Sequence, residues 1–208
     1  MHLGTLIDGP EVDFPRLSRI LDELGPIGRV ETIRHWDPRT QAKLFEAAKG
    51  FKPVTLDDFV PPGTEPLTEV IHHGRNTLPV FSNFQKRFCK PEDKEGELWG
   101  WNCNVVPYQQ WRPNDIVFPL APFIGAGYFV AHAGDEGEVD IDYTRVAGGK
   151  VASWPPITPA QVRIGSIVFG NLVDVMRGIS THVSIGRGRR GSKWLDAWFV
   201  LCREDAKV

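Results

Sequence analysis

Apolar residues recur with helical spacing early in the chain. Residues 17–24 carry leucine and isoleucine at spacings of three and four, behind Asp13, which suits an N-cap, and before Gly25. A second run begins at Asp37, is followed by proline at the first helical position, and ends at Gly50. These patterns predict two amphipathic helices in the first part of the chain.

The period of the pattern changes to two after the turn Pro61-Pro62-Gly63. Strictly alternating and β-branched runs, separated by glycine-rich and acidic turns, predict seven or eight short strands that are mostly joined as sequential hairpins. The run 164–179 fits a helix or a strand. Antiparallel strands of this number hide their edges by closing on themselves. The sequence therefore predicts an α+β protein, with an N-terminal helical arm (1–63) before a mainly antiparallel β-barrel or half-barrel domain (64–208).

The end of the chain resembles a known family. Residues 183–191 read Val-Ser-Ile-Gly-Arg-Gly-Arg-Arg-Gly and precede Trp198-Phe199-Val200-Leu201. This is similar to the closing hairpin of the plastid lipid-associated (fibrillin) proteins, in which an Arg-Gly-x-x-Gly turn precedes a Phe-Val-Leu strand. That family is in turn similar to lipocalins. The resemblance implies a lipocalin-like, lipid-binding barrel that holds apolar ligands.

Charge and cysteine usage narrow the class of protein. Lys and Arg total 24 and Asp and Glu total 26, so the net charge of −2 argues against a nucleic-acid partner. Prolines and glycines interrupt the uncharged stretch 116–134, which argues against an integral membrane segment. Three widely spaced cysteines and the lack of a secretory signal predict a cytoplasmic location. The irregular connection 107–122 is typical of a rim or lid.

One hairpin combines apolar and polar side chains in the manner of a ligand site. If Ala133 lies opposite Glu138, a single face of the hairpin 128–143 carries five candidate ligand-binding residues: Tyr128, Val130, His132, Ile141 and Tyr143. An apolar wall with a few polar groups is the usual composition of such a site. The alternative is a packed core whose hydroxyl and imidazole groups are bonded to the backbone.

A lysine lies within an apolar stripe of the preceding hairpin. If Lys90 lies opposite Glu97, Lys86 lies beside Trp101, and both are candidate ligand-binding residues. Aromatic surroundings lower the pKa of a lysine and suit it to act as a base or as an anion clamp. The alternative is a lysine that stacks its stem on Trp101 and extends its ammonium group to solvent.

Motifs for metals and cofactors are missing from the sequence. No HExxH, CxxC or His-x-His occurs, and the adjacent His72 and His73 of a strand point to opposite faces. The letters of 186–191 match GxGxxG, but a strand-like run follows where a dinucleotide site requires a helix. The sequence predicts no metal and no cofactor.

We therefore expect binding of a small apolar or amphipathic, lipid-like molecule in a β-barrel cavity. Two alternatives remain open. One is a cavity-based enzyme that uses His132 as general acid or base, with Tyr128 or Tyr143 orienting the substrate. The other is a filled barrel whose N-terminal helices dock a protein partner.

Overall fold

The computed structural model describes residues 3–78, 82–104, 127–157 and 170–205. Within these ranges the helices are α1 (Gly4–Asp8), α2 (Phe14–Glu23), α3 (Pro26–Arg34), α4 (Pro38–Ala47) and α5 (Leu56–Phe59). The strands are β1 (Val70–Asn76), β2 (Asn83–Cys89), β3 (Glu97–Asn104), β4 (Tyr128–Ala133), β5 (Val139–Asp142), β6 (Leu172–Gly178), β7 (Val183–Arg190) and β8 (Lys193–Arg203).

The eight strands form a closed barrel in which each strand pairs with its neighbours in the chain and β8 returns to pair with β1. Every pairing is antiparallel. Closure leaves the wall without an unpaired edge. The predicted α+β architecture, helices followed by an antiparallel barrel, is confirmed.

The helices cover the outer wall of the barrel. Asp13 and Asp37 cap α2 and α4 as predicted, each accepting a backbone N–H through its side chain. The helix α3 was not predicted; it begins with Pro26 at its first turn. It packs against β1 and β8, and α4 packs against β7 and β8. Apolar side chains of the helices and of the wall form one cluster. It includes Leu17 and Leu21 of α2, Leu44 and Phe45 of α4, and Ile185 and Val200 of the wall. The apolar faces of these helices are thus buried against the barrel wall.

Helix α5 closes the end of the barrel where β2, β4, β6 and β8 finish. Phe59 and Val60 are buried and belong to the apolar cluster that also contains the inward-facing side chains of the barrel. The chain here is held by polar contacts, because Lys90 Nζ donates to the carbonyl groups of Pro61 and Pro62 at 2.9 and 2.7 Å. Because Phe59 and Val60 are buried there, the interior at this end is packed with apolar side chains.

Inward-facing glycines allow aromatic rings to lie flat against the strand opposite. The glycines at 74, 100 and 186 pair across the ladder with Phe84, Phe129 and Phe199 respectively. A Cβ atom at these positions would lie 2.5, 2.3 and 2.4 Å from the paired ring. The small residues thus make room for three phenylalanines in a narrow barrel.

Two predicted hairpin registers are wrong by one residue. Ala133 pairs with Val139, not Glu138, because Glu138 closes the turn by bonding Gly134 and Asp135 through its backbone. In the preceding hairpin the carbonyl of Lys90 accepts from Leu67, and the ladder brings Arg87, not Lys86, opposite Trp101. A shift of one residue moves every side chain of one strand to the other face.

Several other expectations have mixed outcomes. The run 164–179, which fitted a helix or a strand, contains β6 in the part that the structure describes, and residues 164–169 lie outside the described ranges. The predicted rim or lid at 107–122 also lies outside them. Cys89, Cys103 and Cys202 are buried thiols, and no disulfide joins them. No helix among the described residues is long and apolar enough to cross a bilayer.

Candidate functional site

Four polar side chains meet inside the barrel, in the half that lies away from α5. We call them the inner polar cluster: Lys86 on β2, Asn102 on β3, Tyr143 directly after β5, and Asp174 on β6. Lys86, Tyr143 and Asp174 are buried, and Asn102 is half-buried. Four elements of the wall therefore converge on one point of the interior.

Hydrogen bonds connect all four members. Lys86 Nζ donates to Asn102 Oδ1 at 2.9 Å and to Asp174 Oδ2 at 3.0 Å, and it also contacts the Tyr143 hydroxyl group. That hydroxyl donates to Asp174 Oδ2 at 3.2 Å and accepts from Asn102 Nδ2 at 2.8 Å. The network places an amine, a phenol and a carboxylate within reach of one another.

Aromatic rings surround the ammonium group of Lys86. The distances from Nζ to the ring centroids of Phe129, Tyr143 and Phe199 are 5.1, 5.0 and 5.0 Å, and the distance to Phe84 is 5.8 Å. All four lie within the range of cation–π attraction. The three phenylalanines are those that pack on inward-facing glycines, so the same glycines that narrow the barrel also assemble this cage.

Burial changes the acid–base properties of the cluster. Removal of Lys86 from water lowers its pKa, an effect that the neighbouring carboxylate of Asp174 opposes. Burial raises the pKa of Tyr143 well above its ordinary value, and the negative charge of Asp174 raises it further. The phenol is therefore neutral at pH 7 and able to donate a proton in a hydrogen bond, while the amine is more easily deprotonated than one in water.

The structure divides the predicted ligand-binding residues between the two faces of the wall. Ile141, Tyr143 and Lys86 face the interior. Four others lie on the outer face, in or beside a cluster that includes Trp99 and Trp154: Tyr128, Val130, His132 and Trp101. The expectation that the five hairpin residues share one face is wrong, because it used the incorrect register.

His132 does not lie in a cavity of the barrel. It is part-exposed, its Nδ1 is 2.9 Å from the carbonyl oxygen of Ala133, and its Nε2 is 4.0 Å from an oxygen of Asp142. Asp142 pairs with Val130 on the outer face of the β4–β5 hairpin. The structure therefore gives no support to an interior general acid or base at this position.

Lys86 lies among aromatic rings as predicted, but these are not the predicted partners. Arg87 takes the place expected of the lysine, with its guanidinium 5.6 Å from the Trp101 ring. Trp101 is buried on the outside of the wall and lies against Trp154 and Tyr128. The alternative in which Lys86 extends its ammonium group to solvent is excluded, because only 2% of its side chain is exposed.

Sequence reasoning missed Asn102 and Asp174. The signal for Asp174 was a single carboxylate within an otherwise apolar run, where strand spacing puts it on the same face as Leu172 and Met176. Asn102 lies two residues after Gly100 on the same strand, so both face the interior. A glycine directly opposite an aromatic residue on the next strand marks the interior, but this signal depends on the correct register.

Neither metal ligation nor similarity to other proteins adds to this geometry. Within the described ranges no group of three or more His, Cys, Asp or Glu side chains is placed to hold a metal ion. No protein-family model matches the chain, and searches of curated proteins and of solved structures give no match. The barrel and the inner polar cluster are therefore the features that bear on function.

Proposed function

We propose that this protein binds a small apolar or amphipathic, lipid-like molecule inside the barrel, with the inner polar cluster facing the polar group of the ligand. The observation that carries the proposal is the Lys86–Asp174 ion pair in the barrel interior. A buried ion pair is a poor way to stabilise a fold, because apolar residues of similar volume often do as well or better. Ionisable groups held in such surroundings are typical of functional sites.

The surroundings of the cluster define the chemistry of the ligand. The phenylalanine rings at 84, 129 and 199 offer apolar contact area, which supplies most of the affinity for a small apolar molecule. Asn102 is the most accessible member, and Nδ2 gives one hydrogen to Tyr143; among the described residues no partner takes the second, which can bond a ligand oxygen. A hydroxyl, carbonyl or carboxyl group on an apolar body fits this arrangement, as does the class of ligand implied by the resemblance to fibrillins.

The route to the cluster is expected at the end of the barrel away from α5. Helix α5 blocks the other end with Phe59 and Val60. Asn102 and Leu172 are both half-buried and belong to the ends of their strands that lie away from α5. A ligand that enters there meets the polar cluster before it meets the packed apolar core.

A fluorescence titration with anilinonaphthalene sulfonate, an apolar anionic dye, tests this function. Tyr143→Phe removes one hydroxyl from the inside of the barrel, and Tyr128→Phe makes the same chemical change on the outer face. We expect saturable binding of one dye molecule, weakened about fivefold by Tyr143→Phe, which corresponds to about 1 kcal/mol for one hydrogen bond. Tyr128→Phe should leave the affinity unchanged. Sensitivity to Tyr128→Phe alone, or no saturable binding, would contradict the proposal.

A further inference from the structure

We infer that Lys86 is a carbonyl-reactive amine, which forms an imine with an aldehyde or ketone group on an apolar ligand in the barrel. The inference rests on the proposed function, since such a ligand must first bind beside the inner polar cluster. It goes further, because it assigns covalent chemistry to one atom, Lys86 Nζ, and a chemical class to the ligand.

The surroundings of Lys86 contain each group that imine formation requires. The nucleophile lies in a cage of four rings, which excludes water from the amine and from the product. Asp174 Oδ2, at 3.0 Å from Nζ, is placed to accept its proton. The Tyr143 hydroxyl contacts Nζ and donates to the same carboxylate oxygen, so a second proton carrier joins the two.

The electrostatics of the cluster favour the same chemistry. Burial lowers the pKa of Lys86, which increases the fraction of neutral amine relative to a lysine in water. By contrast, Lys49 and Lys94 have side chains that are 60% and 51% exposed. These exposed lysines are consequently better hydrated than Lys86.

The step balances without any further reactant. The Lys86 ammonium group transfers a proton to Asp174, and the lone pair on Nζ then attacks the carbonyl carbon. The C=O π electrons move to oxygen, which takes up one of the two protons left on nitrogen, and the product is a neutral carbinolamine. The carbinolamine hydroxyl takes a proton through Tyr143 or Asp174 and leaves as water, while the nitrogen lone pair forms the C=N bond. The products are a protonated imine and one water molecule. The positive charge remains on nitrogen beside the Asp174 carboxylate.

Reductive trapping on the full chain tests the inference. The protein is incubated with cinnamaldehyde and sodium cyanoborohydride, which reduces the imine to a stable secondary amine, and each lysine is then quantified by peptide mass spectrometry. We expect labelling of Lys86 to be about tenfold faster than that of Lys49 or Lys94 in the same sample. Exposure to solvent alone would give the opposite order, because Lys86 is the least exposed of the three. The exposed lysines are internal controls, so the test does not depend on the stability of a Lys86 variant.

Two matched variants check the role of the phenol. Tyr143→Phe keeps the ring of the cage and removes the proton carrier, so it should slow the labelling of Lys86 by about a hundredfold, the scale of general acid–base catalysis. Tyr128→Phe should label at the parent rate. A Lys86 labelling rate that Tyr143→Phe leaves unchanged would contradict the assigned chemistry.

Cinnamyl alcohol separates failure of the inference from failure of the proposed function, because it has the same apolar body without a carbonyl group. Displacement of the dye by the alcohol, with labelling of Lys49 and Lys94 but not of Lys86, would overturn the inference and leave the proposed function standing. Absence of both dye binding and Lys86 labelling would overturn both. Preferential labelling of Lys86 supports the inference.

Discussion

The strands β1 and β2 each place two consecutive nitrogen-bearing side chains on opposite faces of the barrel wall. On β2, Lys86 points inward to Asp174 and four aromatic rings, whereas Arg87 points outward to Trp101 and to Glu69, at 3.2 Å. Both cations have an aromatic neighbour and a carboxylate partner. The difference lies in the partner's access to water, since the side chain of Asp174 is 10% exposed and that of Glu69 is 21% exposed.

The two histidines of β1 show the same contrast. His72 faces inward and packs against Phe59 and Phe88, and its Nε2 donates to the carbonyl oxygen of Phe59 at 2.9 Å. His73 faces outward, where its Nε2 is 2.7 Å from a carboxylate oxygen of Glu204. Adjacent residues of similar chemistry thus have different surroundings, and the face of the wall decides which of them meets the interior.

The largest expected effect is on the pH dependence of stability. Burial lowers the pKa of His72 from 6.5 to about 3. Between pH 3 and pH 6.5 this histidine is therefore protonated in the unfolded chain but neutral in the folded chain. Stability should be fully present above pH 6.5 and fall by about 1.4 kcal/mol per unit as the pH decreases toward 3, about 5 kcal/mol in total.

Urea unfolding of two variants across this range isolates the effect. His72→Gln removes the titrating group and should remove this dependence of the unfolding free energy on pH. His73→Gln, on the outer face, should retain it. An equal slope in the parent and in His72→Gln would show that the inner histidine is not held neutral by burial.

The next largest effect concerns the two cations of β2. Lys86→Met leaves the Asp174 carboxylate buried without its cation, which should cost about 3–5 kcal/mol of unfolding free energy. Arg87→Met leaves Glu69 more hydrated and still bonded to the Trp154 indole N–H, so the cost should be about 1 kcal/mol. Chemical denaturation measures both, and Asp174→Leu added to Lys86→Met should recover most of the loss. Equal costs for the two single variants would remove the distinction between the faces.

A smaller effect is expected at the glycines that face inward. Gly74→Ala places a Cβ atom 2.5 Å from the Phe84 ring, and this overpacking should cost about 1–3 kcal/mol. Gly63→Ala is the control, because a Cβ atom there meets nothing within 4 Å. The midpoints of thermal unfolding compare the two variants. If Gly74→Ala unfolds at the same temperature as Gly63→Ala, the ring does not lie against the strand.

Much of the fold could be predicted from local patterns. The caps at Asp13 and Asp37 and the alternation in β4 and β5 are properties of short segments, and closure follows from the number of antiparallel strands. The helix α3 was missed because its isoleucine, valine and glycine residues give little amphipathic signal. Its stability comes from packing on the barrel.

The site was harder to predict because it depends on register. Lys86 and Tyr143 were both singled out, but on separate hairpins, and the incorrect registers assigned them neighbours from the outer face. The turn that Glu138 closes sets the register of β4 with β5, and the pairing of Cys89 with Trp99 fixes that of β2 with β3. Neither contact has a signature in the alternation of residues, and Asp174 meets Lys86 only when the barrel closes.

The proposed site requires ligands to meet the inner face of the wall at Asn102 and not the outer aromatic face at Trp101, its neighbour in the chain. Titration of the isotope-labelled protein with anilinonaphthalene sulfonate tests this directly, because the Asn102 side-chain amide and the Trp101 indole N–H give separate NMR signals. We expect the Asn102 amide signal to shift to saturation with one equivalent of bound dye while the Trp101 indole signal stays in place. A saturating shift of the Trp101 indole with an unmoved Asn102 amide would contradict it.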